Sequence, residues 1–154
     1  MIATETDLSK LTLELTEEIR IDASLETTFE ALVEQMGRAN ETPDGVPLPM
    51  VLEAFPGGRW YRDLGSANGH CWGFVQAIRR PDLLEIQGPL FMSYPVTNNV
   101  QYRLRADGEA TVLTLRHTAL GLLLDEHRAG VGSGWRALLE KVRERSESVG
   151  DLPS

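Results

Sequence analysis

The chain has 154 residues, 42% of them hydrophobic and 25% charged, with a formal net charge of −8. That length holds one domain with a real core, and the composition is that of a globular protein. The acidic balance argues against nucleic acid or an anionic membrane surface as partner, since both need a cationic face, and no apolar run approaches a membrane span, so no stable membrane insertion is expected. Cys71 is the only cysteine, so no internal disulfide forms and a reducing, cytoplasmic setting is expected. The opening MIATETDLSK has no charged segment leading into an apolar one, which gives no sign of a signal peptide.

Residues 1–10 are polar and read as a flexible tail ahead of a single domain over 11–149. From Leu11, the apolar Leu13, Leu15, Ile19 and Ile21 alternate with Thr12, Glu14, Thr16, Glu18 and Arg20, the period of a half-buried strand. Glu17 falls on the apolar parity, so either a bulge sits there or a carboxylate points inward. Ser24 caps a short helix, SLETTFEALVEQMG. Its apolar face is Phe29, Leu32, Val33 and Met36, and Gly37 ends it. Four prolines and glycines make 38–49 a loop.

Strands are predicted over 50–55 and 59–64, joined by a tight turn at Pro56-Gly57-Gly58. A loop over 65–69 leads to a long strand over 70–80, with Trp72, Phe74 and Ile78 on one parity. Pro81-Asp82 turns the chain back into a strand over 83–87. Residues 88–97 carry two prolines and several bulky side chains, and read as an elaborated loop. Alternating segments over 98–106 and 109–119 flank Asp107-Gly108, a hairpin signal.

The last element is a long amphipathic helix from Asp125, its N-cap, to about Ser148. Trp135, Leu138, Leu139 and Val142 share one face, and Arg136–Glu140 and Arg143–Glu147 are favourable i, i+4 pairs. Gly130, Gly132 and Gly134 interrupt it at about 1 kcal/mol each relative to alanine. Either the helix breaks there, or it needs a bare surface over what it covers. The order is strand, helix, about six antiparallel strands, long helix. That is an α+β fold, a curved antiparallel sheet of six to seven strands wrapped around the C-terminal helix, with room for a cavity between them.

Four stretches, IRIDASLETTFEAL, FPGGRWYRDLG, GFVQAIRRPDLLEIQG and GSGWRALLEKVRE, resemble in their order and spacing the START/SRPBCC superfamily. Its helix-grip fold is shared with birch-pollen-allergen-like proteins. Within it the chain resembles the branch named after the activator of heat-shock protein 90 ATPase. With the hairpin before TVLTLRHTAL, these stretches span nearly the whole chain after Leu11. The resemblance implies a cavity for an apolar or amphipathic small molecule. It does not imply one reaction, because members include lipid carriers, hormone receptors, polyketide cyclases, ring-hydroxylating oxygenase subunits and co-chaperone domains.

Candidate site residues follow from parity. His117 shares the inward parity of Leu113 and Leu115, where it would serve as acid, base or ligand anchor, or simply be satisfied by a backbone carbonyl. Tyr102 faces the same way on the neighbouring strand, and its hydroxyl would orient a ligand carbonyl or reach solvent at the rim, as would that of Tyr94. Arg62 shares a parity with Trp60. Turned inward it would hold a carboxylate; otherwise it reaches the surface. Trp60, Trp72, Phe74, Phe91, Met92, Trp135, Leu138 and Leu139 read as wall and core, and become ligand contacts if the cavity is not closed by its own side chains. His70 and Cys71 are adjacent and point to opposite faces, and no C-x-x-C or H-x-x-x-H occurs, so neither a metal nor another cofactor is expected. The expected function is binding of a small hydrophobic molecule, with cyclase- or isomerase-type catalysis by His117 and Tyr102 as an extension. The alternatives are a protein-interaction module and a homodimer with a regulatory or stress-related role.

Overall fold

The structure, a computed structural model, describes residues 8–149. Of the tail expected over 1–10, residues 1–7 lie outside the described residues. Leu8–Lys10 form a 3-10 turn whose Leu8 carbonyl accepts from the Thr12 hydroxyl at 2.8 Å. The alternating leucines and isoleucines then form β1 (Thr12–Ile21), paired antiparallel with β7 (Ala110–Gly121) in unbroken register. No bulge sits at Glu17. Its carboxylate points inward and accepts from Arg136 at 2.8 Å.

Helix α1 (Leu25–Met36) starts where Ser24 Oγ accepts from the Thr27 amide at 3.2 Å, and ends where the Gly37 amide returns to the Val33 and Glu34 carbonyls. The remaining strands are β2 (Val51–Leu52), β3 (Arg59–Gly65), β4 (Asn68–Arg79), β5 (Leu83–Gly88) and β6 (Val96–Asp107). All seven form one antiparallel sheet in the order β1-β7-β6-β5-β4-β3-β2. Two predicted boundaries move. The strand expected over 50–55 shrinks to two residues, because Glu53 turns to take the Arg59 amide at 2.9 Å and its guanidinium at 2.7 Å. The loop expected over 65–69 tightens to Ser66-Ala67, both at positive φ, so β3 and β4 run on to meet it.

β4 departs from simple alternation. Its partner registers slip between Trp60 and Tyr61 on one side and between Val75 and Ala77 on the other, leaving Trp72 and Gln76 as extra residues. Each bulge reverses the side-chain parity. Trp72 and Ile78 therefore pack on the core, while Phe74 between them is turned to the outer face and is 49% exposed. Two glycines permit the close crossing at the first bulge. A Cβ on Gly88 would stand 2.5 Å from the Gly73 Cα.

Helix α2 (Asp125–Val149) runs unbroken through its glycines. It buries Val131, Trp135, Leu139 and Val142, and packs against β1 and α1. The expected i, i+4 ion pairs do not form. Arg136 is drawn across to Glu17, Arg143 pairs with Glu140, and Glu147 accepts the Asp22 amide at 3.1 Å. Among the described residues no helix is long and apolar enough to cross a membrane.

Candidate functional site

On the flank of α2 away from β1, a cavity of about 430 Å³ opens between the helix, the sheet and two loops. The sheet contributes Trp60 and Trp72, the β5–β6 loop Leu90 and Phe91, and the loop after α1 Thr42, Pro43 and Leu48. The chain has three tryptophans, and all three line this space. Each has its one polar atom tied elsewhere. Trp60 Nε1 donates to the Met36 carbonyl at 2.8 Å, Trp72 Nε1 to His70 Nδ1 at 3.1 Å, and Trp135 Nε1 to His117 Nδ1 at 3.0 Å. The rings pack edge to face, Trp60 on Trp72 at 5.2 Å and Trp72 on Phe91 at 6.0 Å. The walls are thus rigid and apolar. Leu90 helps to close them from a left-handed conformation (φ 57°), held by its amide on the Trp72 carbonyl at 2.7 Å. Such a conformation costs a leucine about 1 kcal/mol or more.

The helix side is bare. A Cβ on Gly130 would meet nothing within 4 Å, and one on Gly134 would first meet Pro43 Cγ at 3.7 Å. No close approach demands glycine at either position. The missing side chains leave space, and Gly130, Gly134 and Leu138 form one stripe along the cavity. Gly132 has a different setting, facing Glu17 and Arg136 on the β1 side.

Beneath the wall lies a closed polar chain. Trp135 donates to His117 Nδ1, so the imidazole proton sits on Nε2, which donates to Asn98 Oδ1 at 2.7 Å. Asn98 Nδ2 in turn donates to the Gly88 and Pro89 carbonyls at 3.1 and 3.3 Å. The chain joins α2 to the loop that carries Leu90 and Phe91. His117 is fully buried, and that burial pushes its pKa down to about 4. Tyr102 is also fully buried. Its hydroxyl has no hydrogen-bond partner among the described residues, and desolvation raises its pKa far above the usual phenol value.

No family model matches the chain, and no curated protein matches it. Solved structures do. Ara h 8.0201 superposes with a TM-score of 0.66 at 14% identity, over 89% of this chain and 99% of that one. This chain has the helix-grip fold. CalU16 from Micromonospora echinospora is 20% identical, with a TM-score of 0.60, over 92% of this chain and 76% of its own. The di-domain ARO/CYC StfQ from the steffimycin biosynthetic pathway is 13% identical, with a TM-score of 0.66, over 95% of this chain and 54% of its own. At these identities the likeness is one of fold.

The helix-grip cavity gathers some of the residues that parity singled out and not others. Trp60, Trp72, Phe91, Trp135 and Leu138 line it. Leu139, Tyr102 and His117 are buried and are not part of its lining. Met92 is buried in a separate small cluster with Ala119 and Leu123. Tyr94 is half-buried outside the lining, its hydroxyl 2.7 Å from His127 Nδ1. Two expectations are corrected. Phe74 lies on the outer face because the Trp72 bulge reverses the parity. Arg62 is exposed, because β3 and β4 run on past the core toward their turn. Sequence reasoning missed Pro43 and the loop around it, and it missed His127. The second carried a signal, since His127 falls on the stripe of Gly130, Gly134 and Leu138.

Proposed function

We propose that this chain, as one domain over residues 11–149, binds a small hydrophobic or amphipathic molecule in the cavity beside α2. The observation that carries the reading is the pairing of three tethered tryptophans with a helix face stripped to glycine. A concave, apolar, preformed space with few polar groups is the usual form of a small-molecule site. StfQ, described as an ARO/CYC, and DynU16, described as a putative protein in the dynemicin biosynthetic locus, share the fold and lend general support to a small-molecule ligand.

Cyclase- or isomerase-type catalysis would need a proton-handling group facing the ligand. Both nitrogens of His117 are engaged beneath the wall, and the Tyr102 hydroxyl is sealed in the core. The reading is therefore binding, with no turnover assigned to those two residues. The competing reading is a protein-interaction module of the heat-shock ATPase activator branch, which would act through exposed apolar surface instead. A cytoplasmic setting and a homodimer are compatible with either and add no residue to the site.

Titration with N-phenyl-1-naphthylamine tests this, since an uncharged probe is not repelled by the net charge of −8. Native protein should enhance probe emission, lose tryptophan emission, and melt at a temperature that rises with probe concentration. A probe that reports only unfolded protein would mean a plugged cavity, and the interaction reading would replace this one.

A further inference from the structure

At the first turn of α2 the aromatic wall ends on a histidine that simple apolar binding leaves unused. His127 lines the cavity one turn before Gly130, and Phe91 packs edge-on against its ring at 5.1 Å. Its Nδ1 lies 2.7 Å from the hydroxyl of Tyr94, whose ring is within 11° of parallel to the imidazole. Tyr94 is not part of the lining. Its hydroxyl oxygen also accepts the backbone N–H of Leu124 at 3.4 Å.

The tautomer that gives the Tyr94 proton a partner among the described residues is the one in which the phenol, its oxygen accepting from Leu124, donates to His127 Nδ1. Nδ1 is then an acceptor, and the neutral ring carries its hydrogen on Nε2. Nδ1 is committed to a residue outside the lining, which leaves the Nε2–H as the ring's donor for a ligand.

We propose that His127, oriented by Tyr94, is a hydrogen-bond donor that selects ligands bearing a neutral acceptor oxygen, a ketone, aldehyde or ester carbonyl on an apolar skeleton. The inference rests on the cavity being the binding site. The charges around the cavity favour a neutral oxygen over a carboxylate. Its lining carries two carboxylates, Glu126 beside His127 and Glu41, against one ammonium, Lys141, which already lies 3.7 Å from Glu41. A hydrocarbon of the same shape would cover the Nε2–H and leave it unpaired, which weakens binding.

The test compares 2-acetylnaphthalene with 2-isopropenylnaphthalene, in which a methylene replaces the carbonyl oxygen. Affinities are measured for wild type, His127→Phe, His127→Gln and Tyr94→Phe. The ketone-to-alkene affinity ratio should fall about tenfold in His127→Phe, because the ketone loses its donor and the alkene no longer covers an unpaired N–H. His127→Gln, which keeps an N–H donor, should recover part of the ratio. Tyr94→Phe should lower it by releasing the tautomer. In the infrared, the carbonyl stretch of the bound ketone should lie lower in wild type than in His127→Phe. An unchanged ratio in His127→Phe, or a stretch in wild type typical of a ketone without a hydrogen bond, overturns the inference. Should His127→Phe not fold, the stretch in wild type decides alone. If neither compound binds wild type, the cavity reading itself fails and this inference falls with it; equal ratios with both compounds bound sink only the inference.

Discussion

Gly130→Leu should raise stability and weaken binding, two effects that a purely structural role for this face would not combine. Gly130 sits inside α2 and lines the cavity, and beyond its own turn of helix a Cβ there would meet nothing within 4 Å among the described residues. Replacing a helix glycine recovers about 1 kcal/mol of helix propensity. A leucine that covers roughly half its surface on apolar walls adds about another 1 kcal/mol. Together they give about 2 kcal/mol, a rise in melting temperature of roughly 4–8 °C for a chain of this size. The same four carbons take space from a 430 Å³ cavity, and affinity for N-phenyl-1-naphthylamine should fall about tenfold or more, equivalent to about 1.4 kcal/mol. Gly130→Ala is the control, keeping the helix gain and most of the binding. Urea unfolding and probe titration of the three proteins provide the comparison. A leucine variant that is destabilised would show that the space is not open. One that is stabilised yet binds normally would place the ligand elsewhere.

Burial holds the His117 pKa at about 4, below its ordinary value of about 6.5. The unfolded chain takes up that proton first, so this stabilisation is full above about pH 6.5 and is lost as pH falls to about 4, on the order of 3 kcal/mol. The difference in unfolding free energy between wild type and His117→Gln should shrink between pH 7 and 4.5, and a flat difference would contradict the assignment. Trp135→Phe should cost about 1–3 kcal/mol by urea unfolding, because it strips the donor from buried His117 Nδ1; Trp135→Ala should cost about 3–5 kcal/mol. Phe74→Ser should cost about 1 kcal/mol, the worth of a half-buried aromatic, and leave probe affinity intact. Trp72→Ser should lower both, and the reverse outcome would refute the bulge between them.

Much of this architecture can be read from local pattern. β1 shows its inward face in Leu13, Leu15, Ile19 and Ile21. Ser24 and Gly37 mark both ends of α1, and Asp107-Gly108 marks the β6–β7 turn. These signals are local because the physics is local: side-chain period, a cap, a turn conformation. β4 was not legible beyond its existence. Its two bulges depend on how neighbouring strands align, and the trace the first leaves in sequence, Gly73 and Gly88, is split between two strands fifteen residues apart. Parity therefore placed Trp72 correctly and turned Phe74 the wrong way. The cavity was legible as a consequence of the glycines on α2, but not its position to one side of the helix, which follows from α2 packing on β1 and α1. His117 illustrates a further limit. Its inward direction follows from alternation, whereas its partners Trp135 and Asn98 come from elements that only the folded sheet brings together.

The three tryptophan indoles offer the most direct test of the cavity, since they line it from both sides. Their N–H signals are distinct reporters, hydrogen-bonded to the Met36 carbonyl, His70 and His117 respectively. In a nitrogen-15 NMR titration of folded protein with 2-acetylnaphthalene, all three signals should shift together with one dissociation constant, while the amides of Phe74 and Arg62 stay in place. Indole signals that remain fixed while outer-face amides move would contradict a cavity-bound ligand.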